Sequence, residues 1–319
     1  MIMSLSNIKH YKYLFGPVPS RRFGLSLGVD LVPRKTCSLN CVFCEVGPTT
    51  CLTIDRKEYV PVSEVERELA QWRSGGGKAD VVSVTGSGEP TLHSGFGDVL
   101  SYIKNKIKIK SVLLTNSTLM YIPEVREAAS VADIVKVSFL AWDEDSFRII
   151  ARPHPDLSFA SLLEGLQLFR REYPRKIIWL EIFVVPGINS EIEHVRAIAK
   201  LAQTIRPDKI QLNTAVRPTA ESGVGTAPEA LLNEIKALFE PPAEVIAGFT
   251  GKDSSSEKID ERSVLAMLIR RPCTAGDVAA AFSLDLDDTR LRLRKMVAKK
   301  IIRIEKRNGE DYYLGLANQ

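Results

Sequence analysis

LSLGVDLVPRKTCSLNCVFC, residues 25 to 44, begins as a strand and ends on three cysteines within eight residues. Its first part, Leu25 to Val32, is almost continuously apolar, as expected of a strand buried on both faces. The cysteines Cys37, Cys41 and Cys44 follow its C-terminal end in the spacing Cys-x-x-x-Cys-x-x-Cys, with Cys51 seven residues on and Cys273 far downstream. A structural zinc normally takes four protein ligands from paired knuckles. Three close thiolates with a fourth position open suit a cubane iron–sulfur cluster that leaves one iron free. The alternatives at this point are a three-ligand catalytic zinc, or Cys51 as a fourth zinc ligand. Five cysteines in 319 residues, four of them clustered, do not read as a disulfide framework and fit a reducing compartment.

Outward from this stretch the pattern repeats. Strand-like runs recur at 80–85, 111–115, 134–139, 177–185 and 209–213, and helix-period segments lie between them, such as VSEVERELAQWR, SFASLLEGLQLFRREY and SEIEHVRAIAKLAQTI. A βα repeat with right-handed crossovers makes an α/β protein with a parallel sheet wound into an open or closed barrel. Chemistry then belongs at the C-terminal ends of the strands. No run approaches the roughly 20 apolar residues of a membrane span, and the N-terminus lacks signal-peptide character, so a cytoplasmic protein without membrane contact is expected.

CSLNCVFC after the first strand and TGSGEP (85–90) after the second together resemble the radical S-adenosylmethionine (SAM) superfamily. The resemblance covers roughly residues 15 to 240. GPVPSRR (16–22), LLTNSTL (113–119), RPHPDLS (152–158) and LNTAVRPTAE (212–221) are similar to a subgroup of iron–sulfur oxidoreductases related to wyosine-forming tRNA enzymes. It implies a partial (β/α)6 barrel and a 4Fe-4S cluster on Cys37, Cys41 and Cys44. It also implies SAM chelated at the free iron, a flavodoxin- or ferredoxin-type electron donor, and reductive cleavage of SAM to a 5′-deoxyadenosyl radical. In the turn Gly86, Ser87, Gly88, Glu89, backbone carbonyls would meet the SAM ammonium. By the same resemblance Phe43 lies beside the adenine and Ser138 reaches the SAM ribose or carboxylate, while Asn116, at the tip of its strand, is placed to reach the ribose or substrate. Val184 and Val185 of IFVVPGIN flank the adenine, while Glu181 binds a ribose or pairs with a barrel lysine. Wyosine-forming relatives carry extra cysteines before the triad. This chain has none before Cys37, which argues against wyosine formation itself.

Basic groups on or near the expected rim, namely Arg21, Arg22, Arg152, His154 and Arg217, are candidates for an anionic substrate, since arginine suits bidentate binding of phosphate or carboxylate. Surface pairing of these groups with Glu221 or Asp156 is the competing reading. Residues 248–259 read as a linker of Gly, Ser and charge between a barrel at 1–247 and a C-terminal domain at 260–319. Three short helical patterns, with Thr274 as an N-cap, precede a hairpin around Asn308-Gly309, the order of a winged helix-turn-helix. From Arg290 to Arg307 nine basic residues stand against one acid, Glu305. Arg290, Arg292, Arg294, Lys295 and Lys299 are the nucleic-acid candidates. The expected function is hydrogen abstraction from an anionic substrate such as tRNA or another RNA. The alternatives are radical modification of a peptide or small carboxylate, with the winged helix binding a partner, and an iron–sulfur redox-sensing transcription regulator.

Overall fold

The computed structural model describes residues 11–20, 22–217, 219–246, 261–270, 272–282, 284–307 and 309–316. The expected linker at 248–259, Arg21 and Asn308 lie outside the described residues. In chain order the strands are β1 (Leu14–Ser20), β2 (Gly24–Asp30), β3 (Thr36–Cys37), β4 (Cys51–Leu52), β5 (Val81–Thr85), β6 (Lys110–Thr115), β7 (Ile134–Ser138), β8 (Ile177–Val184), β9 (Lys209–Thr214), β10 (Glu244–Val245), β11 (Ile302–Arg307) and β12 (Glu310–Gly315). The helices are α1 (Val62–Ser74), α2 (Phe96–Tyr102), α3 (Pro123–Ala129), α4 (Glu144–Ala151), α5 (Phe159–Glu172), α6 (Ile192–Ile205), α7 (Glu229–Ile235), α8 (Glu261–Arg270), α9 (Ala275–Phe282) and α10 (Leu286–Ala298).

The main sheet has eight strands in the order β1-β2-β5-β6-β7-β8-β9-β10, and its neighbours from β2 to β10 pair in parallel. The order never reverses, so right-handed crossovers place the helices on one face and leave the other face as a lumen. Alternation along each strand sorts the side chains accordingly. Val135, Val137, Leu180, Ile182, Ile210 and Leu212 join Leu69, Leu166 and Ile198 of the helices in one buried core. On the lumen side Val81, Val112 and Ile134 form a smaller apolar floor with Phe23, Leu114 and Trp179. Ser26 and Ser83 stand above it, their hydroxyls 2.8 Å apart.

Strand β1 is absent from the sequence reading because Pro17 and Pro19 interrupt it. It pairs antiparallel with β2 at the sheet's edge, where proline is tolerated. This corrects an expectation. Ser20 faces Gly24, so the turn holding Arg22 lies at the N-terminal end of the sheet, opposite the rim where Arg22 was expected.

Helices α8 to α10 and the β11–β12 hairpin enclose a second core of Leu268, Cys273, Phe282, Leu293, Met296 and Tyr313, and Val18 of β1 packs against it. Thr274 caps α9 as expected. Its hydroxyl accepts from the Asp277 N–H and its own N–H donates to the Asp277 carboxylate, each at 3.0 Å. On α10 Arg290, Arg292, Arg294 and Lys295 are all exposed, as is Lys299 at its C-cap.

Candidate active site

The cysteine loop is braced from three sides. The glycine-rich turn after β5 grips its base: the Lys35 N–H donates to the Ser87 carbonyl (2.8 Å) and the Glu89 N–H to the Thr36 carbonyl (3.1 Å). The end of α4 grips its middle, where the Asn40 and Val42 N–H groups donate to the carbonyls of Ala151 and Ile150, each at 3.0 Å. Carbonyls at a helix C-terminus lack intrahelical donors, and here the loop supplies them. The segment Arg152 to His154 adds a bridge between Leu39 and Pro153 and a bond from the His154 N–H to the Ser38 carbonyl (2.9 Å). On the third side the Glu221 N–H donates to the Val42 carbonyl.

In this loop Cys37, Cys41 and Cys44 are half-buried free thiols, while Cys51 is exposed on β4 and Cys273 is buried in the C-terminal core. Desolvation and the nearby Glu89 carboxylate push the Cys37 thiol up to about 12. Burial and then Cys37 and Cys44 raise Cys41 well above the ordinary thiol range. Lys35, missed in the sequence, donates from Nζ to the Cys44 sulfur at 3.1 Å, and the Asn116 amide lies 3.6 Å from the Cys37 sulfur. Among the described residues no three His, Cys, Asp or Glu side chains converge on a single ion. Cys37, Cys41 and Cys44 thus share one loop, with polar donors aimed at two of the three sulfurs.

The turn itself is tightly packed. A Cβ on Gly88 would fall on the Thr36 carbonyl oxygen, and one on Gly86 would meet the Asp30 carboxylate, which accepts from the Ser87 hydroxyl at 2.8 Å. The Glu89 carboxylate is buried and accepts from the Thr91 and Thr115 hydroxyls and the Asn116 N–H. Burial raises its pKa against the pull of these bonds. Asn116 is likewise engaged, donating to the Ser38 hydroxyl and accepting from Thr118. These side chains lock the turn to the cysteine loop and to the end of β6. Beside them a cavity of about 70 Å³ opens between Cys41, Phe43, Asn116, Ser138 and Phe139. Phe43 stacks on Phe183, with ring centroids 4.2 Å apart.

Strand parity corrects the expected pair from β8. Glu181 and Phe183 share the lumen face, so Val184 points into the helix-side core and Val185 is buried with it. Glu181 is drawn into the lumen, where it pairs with Arg22, reaching up from the β1–β2 turn, and with Lys136 of β7. The Asn213 amide donates to it at 2.9 Å. Two of the remaining expected substrate groups are engaged at the surface. Arg152 pairs with Glu221 at 2.6 Å, and His154 stands 3.6 Å from Asp156. Arg217 is sealed, its side chain 1% exposed, against Glu45 at 3.2 Å. Burial disfavours its charge, but Glu45, Cys273 and Asp277 outweigh that and raise its pKa.

The family model of the radical SAM superfamily matches residues 31–202, which span the cysteine loop, the glycine-rich turn and the strands around them. The chain belongs to the radical SAM superfamily. It is therefore a radical SAM enzyme, whose cofactors are a 4Fe-4S cluster and SAM. It is 30% identical over 265 residues to UPF0026 protein MJ1312 of Methanocaldococcus jannaschii, covering 81% of this chain and 82% of the relative. It is 32% identical over 302 residues to a GTPase Obg of Brachyspira hyodysenteriae, covering 93% of this chain but 44% of that protein. A shorter match, 26% identical over 184 residues, 55% of this chain and 45% of the relative, is to the dual-specificity RNA methyltransferase RlmN of Caulobacter vibrioides. The crystal structure of a radical SAM methyltransferase from Sphaerobacter thermophilus superimposes with a TM-score of 0.53 at 17% identity, covering 69% of this chain and 66% of that one, which is a likeness of fold. Among the described residues no helix is long and apolar enough to cross a membrane.

Proposed function

We propose that Cys37, Cys41 and Cys44 hold the cluster and that the enzyme abstracts hydrogen from an anionic substrate admitted at the C-terminal end of the barrel. The observation that carries this reading is the grip of the glycine-rich turn on the cysteine loop through Lys35–Ser87 and Glu89–Thr36, which makes one rigid seat of the two motifs. When bound, the cluster supplies the electron that cleaves SAM to methionine and a 5′-deoxyadenosyl radical. The backbone of Gly86 to Glu89 is the proposed seat of the SAM amino-acid end, and Phe43 and Ser138, which line the adjoining cavity, face its nucleoside. Asn116 acts by holding the loop, through Ser38. Lys35 keeps its ammonium beside the Cys44 sulfur.

RNA is the proposed substrate class. The support is the exposed basic face of α10 in what we take to be a winged-helix module at 260–319, joined to the barrel (1–247) by the 248–259 linker. The similarity of one segment to an RNA methyltransferase points the same way. A reducing donor of flavodoxin or ferredoxin type completes the system. Anaerobic incubation of the reconstituted protein with dithionite, SAM and total tRNA, followed by nucleoside mass spectrometry, tests this. The expected result is 5′-deoxyadenosine together with a tRNA-derived nucleoside of changed mass. Deoxyadenosine with no change in any nucleoside would refute RNA as substrate, and an intact cluster that yields no deoxyadenosine would refute the radical reading.

A further inference from the structure

The three cysteines of the loop are not held alike. Cys37 lies in β3, where its carbonyl accepts from the Thr53 N–H at 3.0 Å, and Cys41 is flanked by the bonds from Asn40 and Val42 to the end of α4. Cys44 has no such anchor. Among the described residues the backbone from 43 to 48 makes only turn bonds within the loop, from the Cys44 N–H to the Cys41 carbonyl and from the Gly47 N–H to the Cys44 carbonyl. Two side-chain contacts tie it to the barrel. One is the stack of Phe43 on Phe183, and the other is the bond from Arg217 Nη1 to Glu45 Oε2 at 3.2 Å, which joins positions 172 apart.

Arg217 follows β9, in the loop whose Glu221 N–H also donates to the Val42 carbonyl. Its side chain is 1% exposed and that of Glu45 17%. Cys273 and Asp277, around the start of α9, and Tyr312 of β12 lie close enough for charge effects between them and Arg217, so the pair sits between the cysteine loop and the C-terminal core. Arg217 Nε and Glu45 Oε1 are buried with no hydrogen-bond partner. A buried ion pair offsets the desolvation of its charges only when its remaining hydrogen bonds are made. Here they are not, so stability is a poor account of the pair. What it does accomplish is to hold the residue next to Cys44 and to set the charge there.

We propose that Arg217 is a positioning residue for the cluster: acting through Glu45, it fixes the Cys44 end of the loop and balances the carboxylate beside it. The inference rests on the reading of Cys44 as a cluster ligand. Cluster potentials follow nearby charge, burial and the orientation of the ligands. A lone Glu45 carboxylate beside Cys44 would oppose the entry of an electron, whereas a lone Arg217 guanidinium, which keeps its proton, would favour it. The pair therefore holds the potential between two limits.

Redox titration of the reconstituted protein, followed by electron paramagnetic resonance, tests this, with iron loss to EDTA and melting temperature measured beside it. Arg217→Met should move the midpoint potential to more negative values and Glu45→Gln to more positive ones. Arg217→Lys, which keeps the charge, should stay near the parent. Arg217→Met combined with Glu45→Gln should return toward the parent, since both charges are then gone. Arg217→Met and Glu45→Gln should each lose iron to EDTA about tenfold faster, as expected of residues that orient a metal's ligands. A merely structural pair would shift both single variants the same way, in step with their melting temperatures. That pattern, or potentials equal to the parent's in both, would overturn the proposal. Should Arg217→Met fold without iron, Glu45→Gln decides the matter by its sign: a raised potential supports the proposal and an unchanged or lowered one overturns it. Failure of the cluster reading is seen separately, as Cys44→Ala protein that keeps full iron or a parent that shows no reducible iron–sulfur signal.

Discussion

Cys37 and Cys41 are poor nucleophiles in the metal-free protein, because burial and neighbouring negative charge hold their protons on. With the Cys37 pKa raised to about 12, its thiolate fraction near pH 8 is only about one in 10⁴ and climbs about tenfold per pH unit. Iodoacetamide should therefore label the exposed Cys51 first at pH 8, with Cys37 gaining only as the pH approaches 12, as peptide mass spectrometry would show. Equal rates at pH 8 would contradict the burial argument. The folded-state pKa lies above the unfolded one, so this contribution to apoprotein stability is complete below the ordinary thiol pKa and is lost as the pH rises toward 12. With these cysteines as the proposed cluster ligands, iron would displace the same protons, so cluster assembly should release them. Each of Cys37→Ala, Cys41→Ala and Cys44→Ala should lose most iron and the broad visible absorbance, whereas Cys51→Ala keeps both. Full iron in any triad variant would remove that cysteine from the ligand set.

Gly88 shows how a motif read from the sequence for a cofactor also carries a packing contact. From the sequence it invites close approach of a cofactor, but in the structure the backbone it admits is that of Thr36, under the cysteine loop. Gly88→Val, and even Gly88→Ala, should therefore lower the melting temperature by several degrees and reduce iron content together, at an overpacking cost of about 1 to 3 kcal/mol. A variant with normal melting and normal iron that lost only SAM affinity would restore the cofactor explanation. Gly187→Ala is the contrast. Its φ of 76° strains a side chain, but the space around it is open, so about 1 to 2 kcal/mol of stability should go with iron intact. The six parallel strands were legible because an apolar run bounded by polar turns is a local signal. Strand β1 was not, because its partner β2 and its edge position decide what its prolines mean. Helix α4 was missed because it is a single eight-residue element between β7 and α5, although Asp143 and Ser146 form a capping box at its start. The parity of β8 was available all along: counting from Trp179 puts Phe183, not Val184, beside Glu181. Contacts such as Arg22 with Glu181 join positions 159 apart, which no local pattern encodes.

Across the whole molecule the cysteine loop and the C-terminal helices meet at Arg217, which is held by Glu45 next to Cys44 and feels Cys273 and Asp277 of the second core. A ligand on α10 would thus sit on a body packed against the barrel through Val18. The charge on that helix is less free than its composition implies: Arg290 pairs with Asp287 at 3.1 Å and Lys299 with Glu261 at 3.6 Å. Residues 290 and 294 lie one turn apart on a shared face, while 292, 295 and 299 lie on another, so one nucleic-acid backbone can meet only part of the set. About two or three phosphate contacts are expected, and with them a modest negative slope of log affinity against log salt. Arg290→Ala with Arg294→Ala should weaken tRNA binding and flatten that slope by roughly one to two units, with iron content unchanged because the thiols lie in the barrel. Filter binding across a salt series reads both quantities. If affinity and slope match the parent, α10 is a solvated face, and the substrate enters the barrel without help from the C-terminal helices.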